Sequence, residues 1–486
     1  MRSSILLASL ASSTVSAETV LGVYIFSRHG DRTAKSTPPT ELTDLGYQEI
    51  FTSGSYYRSR YVASDASRRI HGIAPDIVKL SQITASAPVD NVLQASGIGF
   101  LQGLYPPVGE TLGSQTLRNS TVIQAPMNGY QLVPLQVVQN GANSEDAAWL
   151  QGATNCANAQ ISSNDYFRSS EYHDTLARTQ QFYADMYPYV ERTFAEDQTS
   201  FKNAYTIFDL LNVASIHNAS VALPDDADFF QLRTLADQHE FGLAYNESEP
   251  IRAVTGSIIA AEVTEALNGT ITGKGKNVLN IQFGAYAGML SYFGLANLTA
   301  ASTDFYGVPD YASSLVWELV TNATVSNTSY PTEDDISVRF FFHNGTTSNL
   351  SEPVEFPLFG SGRSPLPWSE FVASTAKFSI GTQAEWCTAC GNSTGVCSPS
   401  ALGEGDSGAL GTGSSDTSSA RHGGGGISKA VAGVIGAMVT LGVILGLEIL
   451  FFIVGGFRLV SKKRLARTAS NGSSAMTAGT GVETKA

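Results

Sequence analysis

Arg28-His29-Gly30-Asp31-Arg32 is the segment of this 486-residue chain whose side chains are best suited to chemistry. An imidazole stands between two guanidiniums. Guanidinium forks match the oxygens of a phosphate, and an imidazole can attack phosphorus. The preceding residues, 20–26, are apolar and rich in β-branched and aromatic types, which predicts a strand. The carboxyl ends of strands are where open α/β sheets hold their ligands. The pattern therefore predicts an anion site with His29 as nucleophile and Arg28 and Arg32 as phosphate ligands. The plainer alternative is a basic patch on a loop.

Other elements must position that segment. Residues 43–61 carry an apolar set, Leu45, Ile50 and Tyr57, at helical spacing. Residues 278–283 form a second short apolar strand, followed by a glycine-containing helical segment from Gly288. Residues 252–267 are helical through Val254, Ile258 and Ala261. Alternating strands and helices predict an α/β fold with a mainly parallel sheet flanked by helices. Residues 111–250 are less strand-like. There Tyr172, Leu176, Tyr183 and Met186 fall near one helical face, ended by Pro188. No repeat of solenoid period is present.

Composition bounds the partners. A hydrophobic fraction of 43% is ample for a core, and a net charge of −14 argues against nucleic acid. Residues 1–17 read as a signal peptide: Arg2, an apolar stretch, then Val15-Ser16-Ala17. Sequons at Asn119, Asn218, Asn246, Asn268, Asn297, Asn322, Asn327, Asn344, Asn349 and Asn392 agree with a secretory route. Cys156, Cys387, Cys390 and Cys397 would meet an oxidising compartment, and four cysteines allow three pairings. The Cys387–Cys390 spacing has no nearby histidine or second such pair, so disulfides are expected rather than a metal site. A Gly/Ser-rich stalk at 399–429 leads to a predicted transmembrane helix at 430–457 and a basic tail at 458–486. The flanking cations keep the tail cytoplasmic, giving a single-pass type I protein at the plasma membrane or cell surface. A glycolipid-anchor signal would end in its hydrophobic stretch, and this chain continues past it. Gly442 and Gly446 offer a close-approach face for self-association, and Glu448 is costly at that depth.

With these residues in view, the chain resembles the histidine acid phosphatases, whose signature RHGxRxP is matched by Arg28, His29, Gly30 and Arg32, with Ala34 at the proline. Leu42-Thr43-Asp44-Leu45-Gly46, Arg58 to Tyr61 and Gly103-Leu104-Tyr105-Pro106 are similar to further family landmarks. Residues 312–319 resemble a late family helix. Val338-Arg339 with Asn344-Gly345 resembles a late strand and turn. The likeness spans 18–398 as an ectodomain and implies a phosphoglycerate mutase-like fold with a mostly helical cap inserted at 111–250. It implies hydrolysis of phosphate monoesters, or binding of another anionic small molecule, with no cofactor and no metal.

The family site also needs a third arginine and a His-Asp pair. Ser86 stands at the arginine position, or Thr84 if two residues are inserted. Ala285 and Tyr286 stand at the pair. Candidate acids are then Asp31 and Tyr286. His173-Asp174 spells the pair within a predicted cap helix. His343 reads as a surface residue, and His71, His217 and His239 fit no constellation. Two functions follow: a cell-surface phosphatase of reduced activity acting through a phosphohistidine at His29, or a non-catalytic surface protein that binds a ligand in the old cleft.

Overall fold

A computed structural model describes residues 18–138, 154–326 and 329–402. The chain divides into two compact units, 1–411 and 412–486. The second lies wholly outside the described residues. So do the signal peptide, nearly all of the stalk, the segment 430–457, the tail, Gly442, Gly446 and Glu448. Among the described residues no helix is long and apolar enough to cross a membrane.

The strand expected at 20–26 is β1 (Thr19–Arg28), and it lies inside the sheet. Buried on both faces, it is almost uniformly apolar. Its other members are β2 (Ile83–Pro88), β3 (Gln136–Val138), β4 (Leu279–Gly284), β5 (Ser314–Thr321), β6 (Ile336–His343), β7 (Val354–Glu355) and β8 (Leu366–Pro367). The order is β8-β6-β5-β1-β4-β2-β3, with β7 also on β6. β1, β4, β2 and β3 are parallel, whereas β5 to β8 run antiparallel to their partners. The sheet is thus mixed, not mainly parallel. The overturned expectation is residues 312–319, which form most of β5 rather than a helix. The segment is buried on both faces, its polar Ser314 and Glu318 included, so it shows no alternation that would mark it as a strand.

Side chains of β1 alternate between two cores. Val23 and Ile25 face α1 (Asp44–Tyr57) and α2 (Asn91–Leu104). Those helices approach so closely that a Cβ on Gly54 would lie 2.1 Å from the Phe100 carbonyl oxygen, and one on Gly103 would lie 2.2 Å from that of Phe51. Tyr24 and Phe26 face the other core, shared with the cap. The cap helices are α3 (Ala157–Asp165), α4 (Ser170–Arg178), α5 (Gln180–Val190), α6 (Ala204–His217) and α7 (Asp226–Ala244). They begin later than position 111. Residues 114–116 and 122–124 form a hairpin, and 136–138 join the main sheet. Tyr172, Tyr183 and Met186 are buried as expected, but the helix breaks at Thr179 and Pro188 lies within α5. The long helix α8 (Val254–Gly273) and the shorter α9 (Tyr286–Leu295) pack on the second face.

The four cysteines form two disulfides. Cys156–Cys390 ties the start of α3 to α10 (Gln383–Cys390), and Cys387–Cys397 closes a short loop. At the amino end of β1, buried Glu318 on β5 accepts from Tyr61, Arg60 and Arg68. Glu18 joins Arg68 and Arg339 beside it.

Candidate functional site

β1 delivers Arg28 and His29 to its carboxyl end, and the chain then turns against α1. The Arg28 amide donates to the Ser313 carbonyl at 2.8 Å, and Ala312 donates to the His29 carbonyl at 2.8 Å. Gly30 and Gly46 meet back to back: a Cβ on Gly30 would lie 2.2 Å from the Gly46 oxygen, and one on Gly46 would lie 2.1 Å from that of Asp31. Two glycines that the sequence presents in separate motifs thus serve a single contact.

His29 is 0% exposed, with Nδ1 2.8 Å from the Gly30 carbonyl oxygen. A carbonyl only accepts, so Nδ1 carries a proton, and in the neutral ring the lone pair is then on Nε2. The ring lies 5.6 Å from that of Tyr311. The Arg28 guanidinium is stacked between Tyr286 and Tyr311, 5.0 and 4.7 Å from their centres. It also donates to the Pro309 carbonyl and to the Tyr205 hydroxyl. Lys35 adds a cation 5.2 Å from the centre of the Tyr286 ring.

Arg32 is committed elsewhere. Its side chain is fully buried, and its two terminal nitrogens lie 3.0 and 3.2 Å from the carboxylate oxygens of Asp209 on α6. Burial disfavours its charge, but Tyr205, Asp209 and Tyr311 outweigh burial and raise its pKa. Asp209 also accepts from the Lys35 amide at 2.8 Å. Burial pushes the Tyr311 hydroxyl well up, so it stays protonated and donates to Asp209. The cavity beside the motif has a volume of about 390 Å³; Arg28, Glu49, Tyr205, Asp209, Asp310 and Tyr311 are among its lining residues, and His29 is not. Among the described residues no His/Cys/Asp/Glu group could hold a metal ion.

Both candidate acids bond to other side chains. Asp31 Oδ2 accepts from Thr43 Oγ1 and from His217 Nε2, the latter at 2.6 Å. Tyr286 donates its hydroxyl proton to Glu240 at 2.7 Å, and the other Glu240 oxygen lies 2.8 Å from His239 Nδ1. Ala285, expected from the sequence at the histidine position, occupies the N-cap position of α9 and makes no capping bond through its side chain. Ser86 pairs with Gln282, which pairs with Phe26 on β1. That register leaves Ser86 about 7 Å short of Arg28 along the strand direction. His173 and Asp174 lie exposed on α4. His343 is not a surface residue: it is 6% exposed, bonded to Gly345 and Ser351.

Sequence reasoning missed Asp209, Tyr205, Tyr311 and Lys35. The one usable signal was Tyr205-x-x-x-Asp209, two polar groups a helical turn apart within an otherwise apolar stretch. His217 and Asp31 are 186 positions apart, so nothing local linked them.

A family model described as the histidine phosphatase superfamily (branch 2) matches residues 36–343, a span opening just after the 28–32 motif. No curated protein matches the chain. Among solved structures, the phytase from Citrobacter braakii is 13% identical, with a TM-score of 0.52 over 76% of this chain and 99% of its own. Hafnia alvei phytase in complex with tartrate is 14% identical, with a TM-score of 0.49 over 77% of this chain and 99% of its own. At such identity the first likeness speaks for the fold alone.

Proposed function

Because the chain belongs to branch 2 of the histidine phosphatase superfamily, we propose that it keeps the fold and the motif histidine but does not turn over phosphate monoesters, serving as a ligand-binding protein at the cell surface. One observation carries this reading. The Arg32 fork that would clasp phosphate already clasps Asp209, a carboxylate of the same sign as the expected ligand. An incoming phosphate dianion would have to displace that buried carboxylate. The acid position adds to the case, since the Tyr286 proton is directed to Glu240.

A second reading is supported by the His29 ring. Its Nδ1 anchor leaves the lone pair on Nε2, the tautomer a nucleophile needs. Without an acid, such an enzyme would cleave only aryl phosphates with good leaving groups, because general acid catalysis is worth about 10²–10⁴-fold. The test is hydrolysis of p-nitrophenyl phosphate, a sugar phosphate and phytate by the purified chain at pH 4–8, beside His29→Ala. No hydrolysis and no phosphohistidine is the expected result. Aryl cleavage lost in His29→Ala would establish the second reading, and cleavage of the sugar phosphate or phytate would overturn both.

The signal-like start, the sequons and the apolar segment with its basic flank support an outward-facing ectodomain on one spanning helix. Protease treatment of intact cells is expected to release a glycosylated fragment. A fully protected ectodomain would contradict this topology.

A further inference from the structure

A groove of about 1280 Å³, far larger than the cavity at the motif, runs between α7 of the cap and the sheet edge. Three aromatic rings run in series along it. Tyr245 and Phe241 have centroids 6.0 Å apart, and Phe241 and Tyr306 are 4.8 Å apart. Tyr306 is 48% exposed. Carboxylates outnumber arginines in the lining. Both arginines are engaged: Arg233 with Asp237 and Asp310, Arg252 with Glu249 and the Gly242 carbonyl. The groove therefore disfavours anions. Ring faces with carboxylate and amide acceptors suit an uncharged polyhydroxylated ligand, whose C–H faces stack on aromatic rings while its hydroxyls donate.

The chain carries a source of that ligand in the groove wall. Asn246, in the sequon Asn246-Glu247-Ser248, lines the groove beside Tyr245. Its Oδ1 accepts from the Ser248 amide at 2.9 Å, which fixes the side chain and turns Nδ2 the other way. Asn344 also lines the groove, but its amide is spent on Asp310: Oδ1 accepts from the Asp310 amide at 2.7 Å, and Nδ2 donates to the carboxylate.

We infer that Asn246 is glycosylated and that its glycan folds back into this groove, stacking on Phe241 and Tyr306. In the covalent step Nδ2 bonds to the anomeric carbon of a diphosphate-lipid-linked oligosaccharide, loses a proton, and the lipid diphosphate leaves. The covered groove would then be a structural seat for the chain's own sugar. This rests on the secretory reading above.

The test is enzymatic deglycosylation of the native full chain from a secretory host, followed site by site by glycopeptide mass spectrometry. Asn119, exposed near the 114–124 hairpin, is the reference. Release from Asn246 is expected to be at least about tenfold slower than from Asn119, because the enzyme must wait for the glycan to leave the groove. Tyr306→Ala should bring the two rates within about twofold, and Tyr306→Phe should keep the lag. Equal rates in the wild type, a lag unchanged in Tyr306→Ala, or an unmodified Asn246 beside a modified Asn119 would each overturn the inference. If Asn119 and every other sequon are also bare, the secretory reading fails first and takes this inference with it.

Discussion

Asp209 gives the buried Arg32 guanidinium a counter-charge from within the protein. A buried guanidinium needs a counter-charge, and evolution can supply it from the ligand or from the protein. Here the protein supplies it, from a helix 177 positions along the chain. Asp209→Asn keeps the shape and removes the charge. It is expected to cost about 3 kcal/mol of stability, since Arg32 is left buried with a neutral partner. It should also tighten vanadate binding by at least about tenfold. Urea denaturation and calorimetric titration check the two halves. Unchanged vanadate affinity would show that Asp209 does not hold the fork shut. His29→Ala, by contrast, should leave vanadate affinity of the wild type little changed, because the ring does not line the adjacent cavity.

At the level of elements, the motif loop is held by a backbone-to-backbone contact with the start of α1. Thr43 caps that helix through its hydroxyl, accepting from the Gly46 amide at 3.0 Å, while its own proton goes to Asp31. Asp31, one candidate acid, thus uses one carboxylate oxygen, Oδ2, to join the loop to α1 and, through His217, to the end of α6, while its Oδ1 is buried without a hydrogen-bond partner among the described residues. Gly46→Ala would push a methyl against the Asp31 backbone, which has no flexible end to yield. The expected loss is about 1–3 kcal/mol, with Arg28 and Arg32 displaced. A urea midpoint indistinguishable from wild type would refute the contact's importance. The antiparallel half of the sheet matters to the same site, because the turn before β5 supplies Tyr311 and the two backbone bonds that fix His29.

For the whole molecule, charge sets a stability optimum on the acid side. Burial would raise the Glu18 pKa, but bonds from Arg339 and Arg68 outweigh it and lower it below its ordinary 4.5. Its contribution is present above that value and is lost as pH falls through the depressed one. Glu262 on α8 behaves oppositely. Burial, reinforced by Glu265 and only partly offset by a bond from Gln282, raises it from 4.5 to about 8. Folding favours its protonated form, so stability is full below 4.5 and declines as pH climbs toward about 8. Thermal melts should therefore peak near pH 5, about where one limb gives way to the other. Glu262→Gln should flatten the limb between pH 5 and 8 and leave the acid limb alone. A wild-type profile that rises toward pH 8 would contradict this account.

The sequence by itself determined the family, the strand carrying Arg28 and His29, and the helices on either side. Each of these is local: a motif, a run of apolar residues or a helical period, all readable within a window of neighbours. Disulfide pairing, the antiparallel half of the sheet and the partner of Arg32 were decided only by tertiary structure. Cys156 meets Cys390 across 234 positions, and Glu318, Asp209 and His217 find their partners at similar range. Such contacts depend on which faces pack together, and one-dimensional spacing carries no record of that. The state of the site is of the same kind. The motif shows two arginines and a histidine, and a carboxylate and three tyrosines brought from the cap, from the start of α9 and from the turn before β5 surround the arginines.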